Sequence, residues 1–132
     1  LIQGLAEYER LSDAVIGAQD QLLEHLFGTQ PACRCRVAEV EGRIVGYALT
    51  FQTYSTFRTQ PGVWLEDLFV LPDYRGMGFG KQLILDVIRD AASRGVGRVE
   101  WSVLSWNEPS IDFYKRIGAE LLEDWRICRI SL

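Results

Sequence analysis

The chain has 132 residues, 48% of them hydrophobic and 11% aromatic, enough apolar material for one domain (residues 1–132) with a sizeable core. No apolar run approaches the roughly 18 to 20 residues of a membrane span, and no basic-then-apolar leader opens the chain, so a cytoplasmic protein without a membrane partner is expected. The net charge of −4 argues against nucleic acid, which wants a basic footprint, and suits a cationic small partner.

In chain order, Ile2, Leu5, Ala6 and Tyr8 recur at helical spacing within Leu1 to Arg10, and the chain begins inside that helix without a capping residue. Leu22, Leu23, Leu26 and Phe27 predict a second short helix that stops at Gly28. The only histidine, His25, lies in it among acidic and apolar neighbours and reads as a surface or packing residue. Cys33 and Cys35, with Cys128 far downstream, give an odd count with neither zinc-ligand nor Cys-x-x-Cys spacing. They read as reduced thiols, and no metal is expected.

Arg34 to Val40 and Arg43 to Thr53 predict two strands joined at Glu41-Gly42, with Val45, Tyr47, Leu49 and Phe51 alternating onto one face. The polar stretch Tyr54 to Gly62, closing on Pro61-Gly62, predicts a flexible loop. Trp64 to Val70 is a strand that breaks at Pro72, followed by a loop carrying Gly76, Gly78 and Gly80. Leu83, Ile84, Val87, Ile88 and Ala91 then mark an amphipathic helix that ends at Gly95. Val99 to Leu104 predicts another strand. Asn107 is a good cap for the following helix, with Pro109 in its first turn and Gly118 as its end. Trp125 to Leu132 alternates Ile127, Cys128 and Ile130 against arginines and predicts a last strand, at a sheet edge or crossing to a partner subunit.

Chemistry concentrates between Trp64 and Lys81. A helix N-terminus leaves backbone N–H groups unsatisfied and carries partial positive charge, so a glycine-rich approach to it binds anions. Arg75 and Lys81 flank the loop and suit a di- or triphosphate. The loop fits neither G-x-G-x-x-G nor G-x-x-x-x-G-K-[ST], and by itself the lesser reading is a plain strand-to-helix connection. Strict alternation along the strand sets Leu65, Asp67 and Phe69 on one face and Trp64, Glu66, Leu68 and Val70 on the other. Glu66 and Asp67 are costly there unless solvated, paired or used; either one pairs with an arginine while the other faces water, or they work.

The run Leu68 to Gly80 resembles the acetyl-coenzyme A motif of the GNAT superfamily of N-acetyltransferases, Arg/Gln-x-x-Gly-x-Gly/Ala, with Arg75, Gly78 and Gly80 in its places. Leu65-Glu66-Asp67, Asp73-Tyr74-Arg75-Gly76, Trp106 to Ile111 and Phe113 to Arg116 are similar to the diamine (spermidine/spermine) branch, which includes thialysine acetyltransferases. The likeness extends to Leu1-Ile2 and Tyr8-Glu9.

This resemblance implies an α/β fold: a mixed, twisted sheet flanked by helices, with a V-shaped splay between the Trp64 and Val99 strands. It implies acetyl-CoA as co-substrate, its pantetheine along Leu68, Phe69 and Val70, its pyrophosphate on Gly76, Met77, Gly78, Phe79, Gly80 and Lys81, and further contacts from Asn107, Pro109 and Ser110. By the same resemblance Glu66 is the base, Tyr114 the acid for the departing thiolate, and a backbone N–H near Val70 the oxyanion donor. Tyr8, Glu9, Glu66, Asp67, Glu100, Trp101, Ser102 and Glu123 surround a small-molecule amine, in a homodimer. Members of the branch begin with a strand ahead of the first helix, so a chain lacking that first strand is expected. Other readings are acetylation of an amino acid, aminoglycoside or protein N-terminus, or a coenzyme-binding module without turnover.

Overall fold

The structure, a computed structural model, describes residues 1–131. It divides into two compact units, one from Leu1 to Ser102 and one from Val103 onward.

In the first unit, helices α1 (Ile2–Glu9) and α2 (Gln19–Phe27) precede strands β1 (Arg34–Val40), β2 (Arg43–Ser55) and β3 (Gln60–Val70), helix α3 (Phe79–Ser93) and a two-residue strand β4 (Val99–Glu100). The sheet order is β1-β2-β3-β4. The first three strands run antiparallel and β4 joins β3 in parallel, so the sheet is mixed. The β1–β2 turn uses Glu41 and Gly42 at φ 50° and 78°, the left-handed pair that matches strand twist in a two-residue hairpin.

Each face of the sheet meets a helix. A methyl group added to Gly4 of α1 would stand 3.0 Å from Phe69 Cζ, so α1 lies close on that face. On the other face a Cβ at Gly46 would come within 2.9 Å of the Phe69 carbonyl oxygen and 3.4 Å of Leu83 Cδ1. The buried stripe of α3, Leu83, Ile84, Val87 and Ala91, packs there. Ile84 and Val45 are fully buried, and each such side chain contributes about 1.5–3 kcal/mol.

Three expectations are corrected. Tyr54 to Gly62 is not a flexible loop: β2 continues to Ser55 and β3 begins at Gln60, with Ser55 opposite Gln60 and Tyr54 opposite Pro61. A short turn closes it, held by Arg58 N–H on Ser55 Oγ at 3.3 Å and by Thr59 at φ 52°. Val99 to Leu104 forms a strand only over Val99–Glu100. The segment Trp125 to Leu132 forms no strand over its described residues, and Leu132 lies outside them; alternation alone does not make a strand without an edge to pair with.

In the second unit, helix α4 (Glu108–Arg116) is capped by Asn107, whose side chain accepts from Ser110 N–H at 3.4 Å. Pro109 sits in the first turn, Lys115 and Arg116 in the last, and Gly118 follows at φ 92°.

Candidate active site

The register of β2 against β3 slips at one point. Leu49 faces Asp67 and Thr50 faces Leu65, so Glu66 is the extra residue of a β-bulge. A bulge re-aims side chains and bends its strand, and both effects matter here.

Cross-strand partners share a face. Leu65 opposite Thr50 and Leu68 opposite Ala48 therefore lie together, while Trp64 opposite Phe51, Asp67 opposite Leu49 and Phe69 opposite Tyr47 share the side that α1 covers. The strict alternation expected from sequence is thus wrong across Glu66: Leu65 and Trp64 exchange sides. Trp64 then reaches Glu66, its Nε1–H donating to Oε2 at 2.9 Å. Glu66 itself is exposed. On its other edge, β3 loses its partner just before the bulge. Pairing to β4 covers only Val63–Val99 and Trp64–Glu100, so beyond Trp64 no strand among the described residues pairs with that edge of β3. This is the expected splay.

Asp67 has no arginine partner among the described contacts. Its Oδ2 accepts from Tyr47 Oη at 3.0 Å, and Tyr47 is only 3% exposed. Burial pushes the Asp67 carboxyl above its ordinary range, the Tyr47 hydrogen bond opposes that, and the Glu66 charge adds to it. Glu9, at the end of α1, is also raised, by burial and then by Asp67 and Glu66. Three carboxylates thus crowd one side of the sheet, where the charged forms favour a cation. Tyr47 is the residue that sequence reasoning misses: it is one of four alternating core positions there, and only the register brings it to Asp67.

The glycine loop has the expected form. Gly76 and Gly78 take φ 76° and 91°, and a Cβ at either would meet nothing within 4 Å, so the chain there needs left-handed backbone and leaves open space. Gly78 caps α3, whose first turn holds no acidic residue. The first helical bond runs from Gln82 N–H to Gly78 O, leaving the N–H groups of Phe79, Gly80 and Lys81 outside the helix ladder. Met77 and Lys81 are exposed beside them. An anion of pyrophosphate type fits this end, and an extended amide chain fits the open β3 edge at Leu68 to Val70 as an added strand would. Gly78→Val should weaken binding of a pyrophosphate-bearing ligand about tenfold, since a β-branched residue at positive φ costs roughly 1–2 kcal/mol and fills the cradle; an unchanged affinity in a binding titration would contradict this.

Arg75 makes contacts that the sequence does not announce. Its Nε donates to the Val70 carbonyl at 3.0 Å, and its guanidinium stands 4.7 Å from the Tyr8 ring and 5.5 Å from that of Phe69. It ties the loop to α1 instead of extending along the cradle. Of the remaining candidates, Glu100 is engaged by Arg98 at 2.6 Å, and Trp101 and Ser102 follow it without strand structure. Asn107, Pro109, Ser110 and Tyr114 are on or beside α4 in the second unit, where the Tyr114 and Phe113 rings lie 5.3 Å apart. Glu123 is exposed in that unit.

A family model described as the acetyltransferase (GNAT) family matches residues 5–119. A thialysine N-epsilon-acetyltransferase of Bos taurus is 38% identical over 142 aligned residues, covering 99% of this chain and 83% of its own length. An L-ornithine N5-acetyltransferase of Arabidopsis thaliana is 42% identical over 88 residues, 67% of this chain and 39% of the relative. Among solved structures, an aminoglycoside acetyltransferase from an uncultured soil metagenomic sample superposes with a TM-score of 0.84 at 21% identity, over 100% of this chain and 86% of its own.

Proposed function

From the premise that the chain belongs to the GNAT acetyltransferase family, we propose that it is an acetyl-CoA-dependent N-acetyltransferase whose acceptor is the terminal amine of a lysine-like molecule or diamine. The observation that carries the acceptor is the crowding of Glu9, Glu66 and Asp67 on one side of the sheet. An amine with a second ammonium relieves that charge, whereas a neutral or anionic acceptor does not. The 38% identity to a thialysine acetyltransferase across nearly the whole chain supports the same class.

When bound, acetyl-CoA supplies the activated acetyl group. The chain's part is to hold, orient and move protons. Phe79, Gly80 and Lys81 offer N–H groups to the pyrophosphate, and the open edge at Leu68, Phe69 and Val70 orients the amide arm, with an N–H near Val70 available to the carbonyl oxygen. Glu66, exposed at the bulge and steered by Trp64, takes a proton from the incoming ammonium through water. Tyr114 returns a proton to the leaving sulfur. Asn107, Pro109 and Ser110 serve the coenzyme, and Tyr8, Glu100, Trp101, Ser102 and Glu123 the amine. Both units are read as one acetyltransferase domain, since the family match runs from residue 5 to 119.

The three cysteines are free thiols, which supports a reducing cytoplasmic setting. Among the described residues no helix is long and apolar enough to cross a membrane. Trp125 and Ile130, 79% and 88% exposed, support a homodimer that covers them. Release of coenzyme A thiol with a panel of amines tests the function: turnover on doubly charged amines is expected, and turnover on none would overturn it.

A further inference from the structure

The hydroxyl of Tyr47 is a polar atom on a buried residue whose hydrogen-bond partner among the described residues is Asp67 Oδ2, at 3.0 Å. The ring is fixed from both sides along the sheet: Val37 lies opposite it on β1, Phe69 opposite it on β3, and the Phe69 ring stands 6.4 Å away. A rigid donor thus holds one oxygen of a carboxylate that burial would otherwise drive toward its neutral form. A carboxylate has about four acceptor sites, and the second oxygen remains for a ligand.

We propose that Tyr47 is a positioning residue for amine selectivity: its hydroxyl fixes Asp67 so that the free carboxylate oxygen takes the second ammonium of a doubly charged acceptor. The inference rests on the acceptor reading given above. The titratable groups that act on Asp67 or feel its charge are Tyr47 on β2, Glu66 on β3, Glu9 on α1 and Cys35 on β1, and the one cation that the described contacts place on that side, Arg75, stands over the Tyr8 and Phe69 rings. Glu66 and Glu9 are acidic and leave the cluster short of positive charge. Burial and Asp67 push the Tyr47 hydroxyl far above its ordinary range, so it stays protonated and donating wherever the enzyme works. Without the hydroxyl, Asp67 loses the one interaction that opposes burial. It then titrates higher, and its free oxygen is no longer held in place for a cation.

The test compares Tyr47→Phe with the parent, both saturated with coenzyme A. Calorimetry gives the affinity for 1,5-diaminopentane and for 1-aminopentane, which differ only in the distal ammonium. Carboxyl-carbon NMR follows Asp67, assigned with Asp67→Asn. Tyr47→Phe should weaken the diamine about tenfold, as expected for losing a hydrogen bond to a charged group, and leave the monoamine within about twofold. Asp67 should titrate at higher pH in the variant, and in an Asp67→Asn background Tyr47→Phe should have no further effect on diamine affinity. Equal loss on both amines, an unmoved Asp67 titration, or additive effects of the two substitutions would overturn the proposal. These readouts use binding, so a parent protein inert toward every amine would refute the acetyl-transfer reading separately.

Discussion

Replacing Glu66 by glutamine should lower kcat/KM for a lysine-like amine by about 10²-fold near pH 7, with a deficit that shrinks as pH rises. The sign follows from the acceptor. An aliphatic ammonium has a pKa of about 10.4, so only a few molecules in ten thousand carry the lone pair at neutral pH, and the parent enzyme must remove the proton on the protein. A glutamine amide cannot take that proton, so the variant depends on amine already neutral in solution, and that fraction grows about tenfold per pH unit below the amine's own pKa. Glutamine still accepts the Trp64 Nε1–H bond, so the bulge should survive and the loss should reflect the proton. A parallel offset between the two pH profiles, or equal rates, would remove Glu66 from the role of base.

Tyr114→Phe should lower kcat by at least about tenfold, within the range of general-acid contributions, with the acetyl-CoA KM nearly unchanged. The ring that stands beside Phe113 at 5.3 Å is retained in phenylalanine, and α4 keeps its Asn107 cap. Only the phenolic hydroxyl is lost. A thiol of pKa about 8.5 departs tolerably without help, which is why the expected loss is moderate. Turnover equal to the parent's would show that the sulfur takes its proton elsewhere.

What was legible in the sequence is what local chemistry decides. Gly78 and Gly76 sit at positive φ because the strand-to-helix passage demands it, and Asn107 caps α4 through its own side chain. Glu41-Gly42 forms the turn its residues prefer. Each depends on a few neighbouring residues. The departures within the sheet are decided by pairing between distant strands. The bulge at Glu66 exists only in the register of β2 against β3, and no period-2 pattern in β3 alone announces it. That one extra residue reverses the faces of Leu65 and Trp64, and the pairing of β3 with β4 ends at Trp64, just before it. The same register brings Tyr47 to Asp67. Arg75 is a similar lesson: its place in the loop is local, but the rings of Tyr8 and Phe69 that its guanidinium stands over come from other elements.

Asp67 lies three residues before the end of β3 at Val70 and the glycine cradle follows that end, and the roles proposed for them differ: the cradle for the donor, the carboxylates for the acceptor. On that proposal, substitutions at Gly78 should change acetyl-CoA kinetics without altering the ranking of amines, while substitutions at Glu9, Asp67 and Tyr47 should alter that ranking. The most direct measurement is continuous thiol release from acetyl-CoA with thialysine, L-ornithine, 1,5-diaminopentane, spermidine and 1-aminopentane at equal concentration. Acetyl transfer to the doubly or multiply charged amines, at rates well above those for 1-aminopentane, is the predicted result. Equal rates on the monoamine, or no thiol release with any of the five, would contradict the account.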